Sequence, residues 1–253
     1  MGRGYLAVCV SVVSAVLLPM GSAVAGSEKP ATLDSDPNLA VWWKFDEAAG
    51  KVAADATTHK RDGTLTGELS FDKSSAPGKR GEAIQLDGKE SWIEVKDYKG
   101  VTGTRPRTVA AWIKTASAQG EIVSWGTEDF GQRFVFGYIR GRIGITPSGG
   151  YLYINPETND DKWHHVAVVV RKAELPSLAN DVTLYLDGQT AEIHDIGLLD
   201  LWPIRTGDKL DVRIGRGLAG ALDDLRLYDR PLSDEEIKAL FELKTSQPPA
   251  QRP

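Results

Sequence analysis

The chain has 253 residues, of which 41% are hydrophobic and 26% are charged, and its formal net charge at pH 7 is −5. This length is enough for one domain to bury its own core without disulfides. The mildly acidic balance argues against a nucleic-acid partner, because binding to phosphates needs a basic face.

The N-terminus has the pattern of an export signal. Arg3 supplies a positive charge, residues 5–20 are apolar and uncharged, and the Ala-Val-Ala at 23–25 places small residues before a cleavage site. We expect cleavage after Ala25, giving a secreted or periplasmic protein that is not an integral membrane protein once cleaved. The alternative is an uncleaved anchor, but the apolar run is shorter than the ~20 residues of a spanning helix. Cys9, the only cysteine, would leave with the signal peptide.

The rest of the chain is predicted to form a single domain at residues 39–243. Residues 26–38 contain two prolines and no apolar run, which predicts a flexible leader. From residue 39, short extended runs alternate with Gly and Asp turns, a pattern typical of an all-β, two-sheet antiparallel sandwich. The predicted strands are 39–46, a hairpin at 83–95 turning through Asp87-Gly88, 108–115, 121–125, 133–139, 142–146, 151–154, 163–170, 182–186, 211–215 and 222–229.

The strand at 163–170 (WHHVAVVV) is predicted to lie at the centre of the stack, because both of its faces are mostly apolar. The run 182–186 ends at Asp187-Gly188, which is typical of a type I′ hairpin turn. His165 shares a face with Trp163 and Ala167, so it is interpreted as a packed, hydrogen-bonded side chain.

One helix is predicted near the C-terminus. Ser233 and Glu236 form a capping box, and Ile237, Leu240 and Phe241 follow at helical spacing. The polar, proline-rich tail at 244–253 is predicted to be disordered.

Several motifs, in this order, resemble the laminin-G-like jelly roll of the concanavalin A-like lectin/glucanase class. They are Trp42-Trp43-Lys44-Phe45-Asp46-Glu47 with Gly50, Leu86-Asp87-Gly88, Ala111-Trp112, Trp163-His164-His165, Leu186-Asp187-Gly188 and the stretch Gly220 to Ile237. The resemblance spans about residues 39–243. It implies two antiparallel sheets of six or seven strands, with the N- and C-terminal strands side by side.

The resemblance also implies a structural calcium ion. Asp223, in the closing Asp-Asp-Leu-Arg-Leu-Tyr strand, would be the anionic ligand, and the segments around Asp46 and Gly88 would contribute carbonyl oxygens. Such a mixture of carboxylate and carbonyl ligands suits calcium. The alternative is that Asp223 only caps the strand or pairs with Arg226 or Lys44.

Aromatic side chains beside turns and polar groups are the candidate ligand-binding residues. Such rings suit the C–H faces of sugars, although they also pack under loops. The candidates are Trp92, Trp125, Trp202, Tyr151 and Tyr153.

No catalytic motif is evident in the sequence. Glycoside hydrolysis needs two carboxylates, and no strand carries a paired-carboxylate pattern. No G-x-S-x-G nucleophile motif is present either. We therefore expect a non-catalytic binding module for a glycan or an extracellular or cell-surface protein. The alternatives are a polysaccharide-cleaving enzyme whose carboxylates come from separate strands, and a structural component of a secreted assembly.

Overall fold

The computed structural model describes residues 1–2, 32–197 and 201–243. The chain divides into two units, residues 1–31 and 32–253, and the second contains every element discussed below. The predicted signal peptide, residues 26–31 of the predicted leader and the predicted tail at 244–253 lie outside the described residues, apart from Met1 and Gly2. Within the described ranges, no helix is both long and apolar enough to span a membrane.

The described part of the chain forms two antiparallel sheets with three short helices, which confirms the predicted all-β sandwich. The helices are α1 (Phe71–Ser74), α2 (Leu178–Asp181) and α3 (Asp234–Glu242). The strands are β1 (Leu39–Trp43), β2 (Val52–Ala53), β3 (Gly63–Leu65), β4 (Ser75–Pro77), β5 (Glu82–Asp87), β6 (Ile93–Val95), β7 (Arg107–Lys114), β8 (Gly120–Gly126), β9 (Arg133–Ile139), β10 (Arg142–Thr146), β11 (Leu152–Ile154), β12 (Trp163–Val170), β13 (Val182–Leu186), β14 (Gln189–Thr190), β15 (Ile193–Ile196), β16 (Leu210–Ile214) and β17 (Ala219–Tyr228).

The sheets have eight and nine strands, more than the six or seven expected. The eight-stranded sheet has the order β14-β13-β12-β7-β17-β5-β4, with β1 also paired to β17. The nine-stranded sheet has the order β15-β11-β10-β9-β8-β16-β6-β3-β2. The pairing of β1 with β17 places the N- and C-terminal strands side by side, as expected.

The predicted hairpin at 83–95 is wrong. Its two halves lie in different sheets, because β5 pairs with β4 and β17 whereas β6 pairs with β3 and β16. The segment between them crosses from one sheet to the other. The Asp187-Gly188 turn is confirmed, with φ of 49° and 79°, since both residues have the positive φ of a type I′ turn.

Strand β12 is covered on both faces, as predicted. Val166, Val168 and Val170 face the core between the two sheets. Ala167 and Val169 face a second apolar cluster on the outer side, where Ile237 and Leu240 of α3 pack. Helix α3 begins with the predicted capping box, formed by Ser233 and Glu236. Because Ile237 and Leu240 pack against Ala167 and Val169, helix α3 covers the outer face of the eight-stranded sheet.

Residues 32–38 are not a flexible leader. A 3-10 turn at Leu33–Ser35 is tied to β17 by an ion pair from Asp34 to Arg226. Asp36 pairs with Arg230, which also binds Glu236 of α3. These contacts between strand, helix and N-terminal segment place the start of the ordered domain before residue 39.

Candidate functional site

The outer face of the nine-stranded sheet carries an open groove of about 550 Å³, a volume within the usual range for small-molecule sites. Its floor comes from β8, β9 and β10, whose alternate residues point into the core. Ile122, Phe136 and Ile145 are buried in the core, so the intervening residues lie on the outer face.

Two glycines leave the floor of the groove without side chains. Glu121, Gly137, Gly144, Tyr153 and Asp195 are cross-strand neighbours along one row through β8, β9, β10, β11 and β15. A Cβ at Gly137 would lie 2.3 Å from the Gly120 carbonyl oxygen, and one at Gly144 would lie 2.6 Å from that of Leu152. The backbone is thus bare for two strands, between a carboxylate on one side and aromatic rings on the other.

The carboxylate side of the groove is built around Glu121. Its carboxylate accepts a hydrogen bond from Ser124 Oγ at 2.5 Å, pairs with Arg133 at 3.1 Å and lies 3.7 Å from Arg216. Arg133 also pairs with Glu128 at the exposed rim. These contacts hold Glu121 in one place, and its carboxylate remains partly exposed to the groove.

One end of the groove is formed by the turn between β9 and β10. Arg140 and Gly141 are its two central residues, with φ of 54° and 79°. Such turns favour Asn-Gly, so arginine at the first position is unusual. Arg140 is exposed and, with Arg216 and Gln119, gives the groove hydrogen-bond donors.

Next to the groove, along the same row, three stacked rings lie on and beside β11 and β15. Tyr153 lies between Tyr151 and His194, with centroid distances of 5.5 and 5.4 Å. Both tyrosine hydroxyls donate to Asp195 Oδ2, at 3.1 Å from Tyr151 and 3.4 Å from Tyr153. The bond to Asp195 raises the pKa of Tyr151, because the neutral phenol is the donor. The stack is therefore held in place.

A family model described as the concanavalin A-like lectin/glucanases superfamily matches residues 87–238. The chain belongs to this superfamily. The match includes β8, β9 and β10, which form the floor of the groove, and it includes Asp223. It confirms the family resemblance of the sequence motifs. Comparison with curated proteins gives no match.

Solved structures share the superfamily fold. Domain 4 of AbnA, an extracellular GH43 arabinanase from Geobacillus stearothermophilus solved with arabinotriose, is 20% identical with a TM-score of 0.58, covering 81% of this chain and 98% of that one. The receptor-binding domain of botulinum neurotoxin D is 12% identical with a TM-score of 0.51, covering 81% and 52%. A Trypanosoma rangeli sialidase is 14% identical with a TM-score of 0.52, covering 81% and 32%. At these identities the likeness shows the fold alone.

Two of the five candidate aromatic residues are buried. Trp125 is 1% exposed, stacks on Phe134 at 4.2 Å and donates from Nε1 to the Val101 carbonyl at 3.1 Å. It points from β8 into the core, so its ring is not available to a ligand. Tyr153 lies on the outer face but is 2% exposed, since Tyr151 and His194 cover its ring.

The other three candidates retain some exposure but lie apart. Tyr151 is half-buried beside the groove, and Trp92 is half-buried near Arg213 on β16. Trp202 is 46% exposed and stacks on Phe130, which is 57% exposed. The structure therefore does not bring the predicted aromatic set together as one site.

The predicted calcium ligand Asp223 lies on the other sheet. It is fully buried, and its Oδ2 accepts the Arg80 backbone N–H at 2.7 Å, whereas its Oδ1 has no hydrogen-bond partner in the described chain. Burial raises its pKa to about 8, with a further rise from the nearby Asp224 and Asp46 carboxylates. Arg226, one of its alternative partners, instead pairs with Asp224 and Asp34.

The residues around Asp223 fit a hard cation. Asp46 Oδ1 accepts the Glu82 backbone N–H at 2.9 Å, which brings a second carboxylate to the loop at 78–82. A Cβ at Gly78 would lie 2.7 Å from Asp223 Oδ2, and one at Gly81 would lie 2.2 Å from Asp46 Oδ1. A buried carboxylate oxygen without a hydrogen-bond partner, a second carboxylate and the carbonyl groups of the 78–82 loop form the type of donor set that calcium accepts.

Gly88 does not belong to this cluster. It packs against Ala219, four residues before Asp223 on β17. At a rise of about 3.3 Å per residue, this places it about 13 Å away. Gly88 is therefore too far from Asp223 to share an ion with it, whereas the 78–82 loop lies next to the Asp223 carboxylate. Among the described residues, no cluster of three or more His, Cys, Asp or Glu side chains could hold a metal.

Sequence reasoning missed the groove. Gly137 and Gly144 each sit inside a predicted strand, where glycine is unfavourable unless another group approaches closely. That signal was available, but their adjacency depends on the pairing of β9 with β10. The role of Glu121 likewise depends on Arg133 and Arg216, which come from two other parts of the chain.

Proposed function

We propose that this chain is a secreted, non-catalytic module that binds a carbohydrate in the groove on the outer face of its nine-stranded sheet. The observation that carries the proposal is the row from Glu121 across Gly137 and Gly144 to Tyr153. A bare backbone floor admits a flat sugar ring, and the fixed carboxylate can accept hydrogen bonds from its hydroxyls. Arg140 and Arg216 supply donors to the same ligand.

The composition of the groove favours binding over hydrolysis. Glu121 is the only carboxylate among the described residues that line it, and two arginines neutralise it. Glycoside hydrolysis uses a pair of carboxyl groups about 5–9.5 Å apart. Domain 4 of AbnA, which shares the fold, was solved with arabinotriose, so an arabino-oligosaccharide is a reasonable first ligand to test.

Isothermal titration with arabinotriose and a panel of neutral oligosaccharides tests the proposal. A single site of this kind should bind with a Kd between about 1 mM and 1 μM. Glu121→Gln should weaken binding roughly tenfold or more, because a hydrogen bond to a charged group contributes about 1.5–3 kcal/mol.

Glu128→Gln is the matched control, because Glu128 also pairs with Arg133 but lies at the rim, with 62% of its side chain exposed. It should leave affinity unchanged. Equal losses of affinity in both variants would mean that binding depends on the position of Arg133 and not on a contact between Glu121 and the sugar. Release of new reducing ends on prolonged incubation would make the protein an enzyme, and no binding to any glycan would refute the proposal.

We also propose one structural calcium ion between the two carboxylates at the 78–82 loop. Asp46, Asp223 and the carbonyl groups of this loop would hold it. The support is the buried Asp223 Oδ1, which has no hydrogen-bond partner in the described chain, together with the proximity of Asp46. The cation would offset the repulsion between the carboxylates and join the end of the first strand to β17.

A further inference from the structure

The nine-stranded sheet has a free edge at β15, a strand of four residues. This strand pairs with β11 on one side and ends the sheet on the other. The strands at the other three ends of the two strand orders are protected. Strands β2 and β14 contain only two residues each, and β4 ends in Pro77. Short edges and proline prevent pairing with other chains, whereas an open edge strand offers its backbone groups to a partner.

The free edge is also apolar. Ile193 and Ile196 are 37% and 39% exposed, although their cross-strand neighbours Ile154 and Leu152 are buried in the core. Both isoleucines therefore lie at the open margin of the apolar layer between the sheets. An added strand would cover them and extend that layer.

A bulge makes the pattern of β15 symmetric. The register shifts between Tyr153 and Ile154, so His194 is an extra residue in the strand. His194 stacks on Tyr153 and Asp195 accepts from the tyrosine hydroxyls, which places both on the outer face. The order along the strand is thus inward apolar, outward polar, outward polar, inward apolar. Reversing the direction of the strand leaves this order unchanged.

We propose that a second copy of this chain pairs with β15 in antiparallel fashion, across a two-fold axis between His194 and Asp195. In this register Ile193 faces Ile196 of the partner subunit, and His194 faces Asp195 of the partner subunit. Each pair occurs twice by symmetry, and both apolar and hydrogen-bonding cross-strand pairs stabilise adjacent strands. An unbulged strand would place residues 193 and 196 on opposite faces, and the apolar pairs would be lost.

The dimer has a geometric consequence that is independent of what the groove binds. A two-fold axis perpendicular to a continuous sheet puts both outer faces on the same side. Five strand spacings separate β10 of one subunit from β10 of the other, which is about 24 Å at 4.8 Å per strand. Two ligand sites on one side of the assembly could engage one extended polymer.

Sedimentation velocity across a wide range of protein concentration tests the dimer. The wild-type chain should shift from monomer to dimer as concentration rises. Ile196→Lys should raise the dimer Kd by roughly tenfold or more, because it replaces two symmetric apolar pairs with charges. His194→Asp should weaken the dimer as well, since it places two carboxylates opposite each other.

Val52→Lys is the matched control, because Val52 is 52% exposed on β2, the two-residue strand at the opposite end of the same sheet. It should leave the dimer intact, and circular dichroism should show all variants folded. A monomer at every concentration would overturn the proposal. A dimer that survives Ile196→Lys, or dissociates equally with Val52→Lys, would also overturn it.

Discussion

Replacing Asp223 with asparagine should produce opposite effects with and without calcium. Asparagine has the same shape as the carboxylate and can still accept the Arg80 N–H through its amide oxygen. It removes the charge that burial and two nearby carboxylates disfavour. It also removes the anionic ligand that calcium requires.

Without metal, the variant should be more stable than wild type at neutral pH. Burial raises the folded pKa of Asp223 to about 8, from an ordinary value of 3.8. The stability this group contributes is therefore fully present below pH 3.8 and is lost as pH rises toward 8. At pH 7 the loss is at most about 4 kcal/mol.

An amide N–H₂ placed where Oδ1 now has no partner costs about 1–3 kcal/mol. The net gain for Asp223→Asn in EDTA should then be about 1–3 kcal/mol, and it should disappear in acid. Because the penalty of the carboxylate grows with pH, the difference between the proteins should widen from pH 4 to pH 8.

With calcium, the wild-type protein should recover the advantage. A hundredfold excess over the Kd adds about 2.7 kcal/mol to its free energy of unfolding. For a domain of this size, this corresponds to a rise in Tm of roughly 5–11 °C. The asparagine variant should not respond.

Thermal unfolding of both proteins in EDTA and in calcium, at several pH values, measures all these effects. A wild-type Tm that is the same in both solutions would rule out the ion. A variant less stable than wild type in EDTA would show that the carboxylate is stabilised in the metal-free fold, contrary to the reasoning from its burial.

Three further predictions concern the frame around the sites. Trp125→Ala should cost about 3–5 kcal/mol in chemical denaturation, and a cost near zero would contradict its place in the core. Arg107→Met should cost at least about 3 kcal/mol by the same measurement. Buried Arg107 donates hydrogen bonds to several backbone carbonyls and to Thr206, and these acceptors would lose their donor. NMR titration should show a pKa of His164 above 6.5, raised mainly by its hydrogen bond to Asp187, and Asp187→Asn should lower it. The stability from this pair is present below pH 6.5 and lost as pH rises through the folded pKa, so an unshifted histidine would refute the contact.

The sequence by itself determined the local features of the fold. Period-two alternation predicted most strands, Asp187-Gly188 predicted a type I′ turn, and Ser233 with Glu236 predicted the start of α3. Each depends on residues close together in the chain. The sequence also singled out Asp223, through a motif shared with the family. The motif also carries a sign of the bulge in β17. Two aspartates, rather than one residue, separate Leu222 and Leu225, which both face the core.

Tertiary structure alone decided which segments became neighbours. The run at 83–95 has the local pattern of a hairpin, yet its halves belong to different sheets. The spacing around Trp125 did not reveal that its ring is buried, because that depends on Val101 and Phe134 from other segments. The groove arises where Gly137 and Gly144 meet across two strands. Strand order and register come from burying the two facing sides of the sheets in one core, and a local pattern contains no information about that non-local choice.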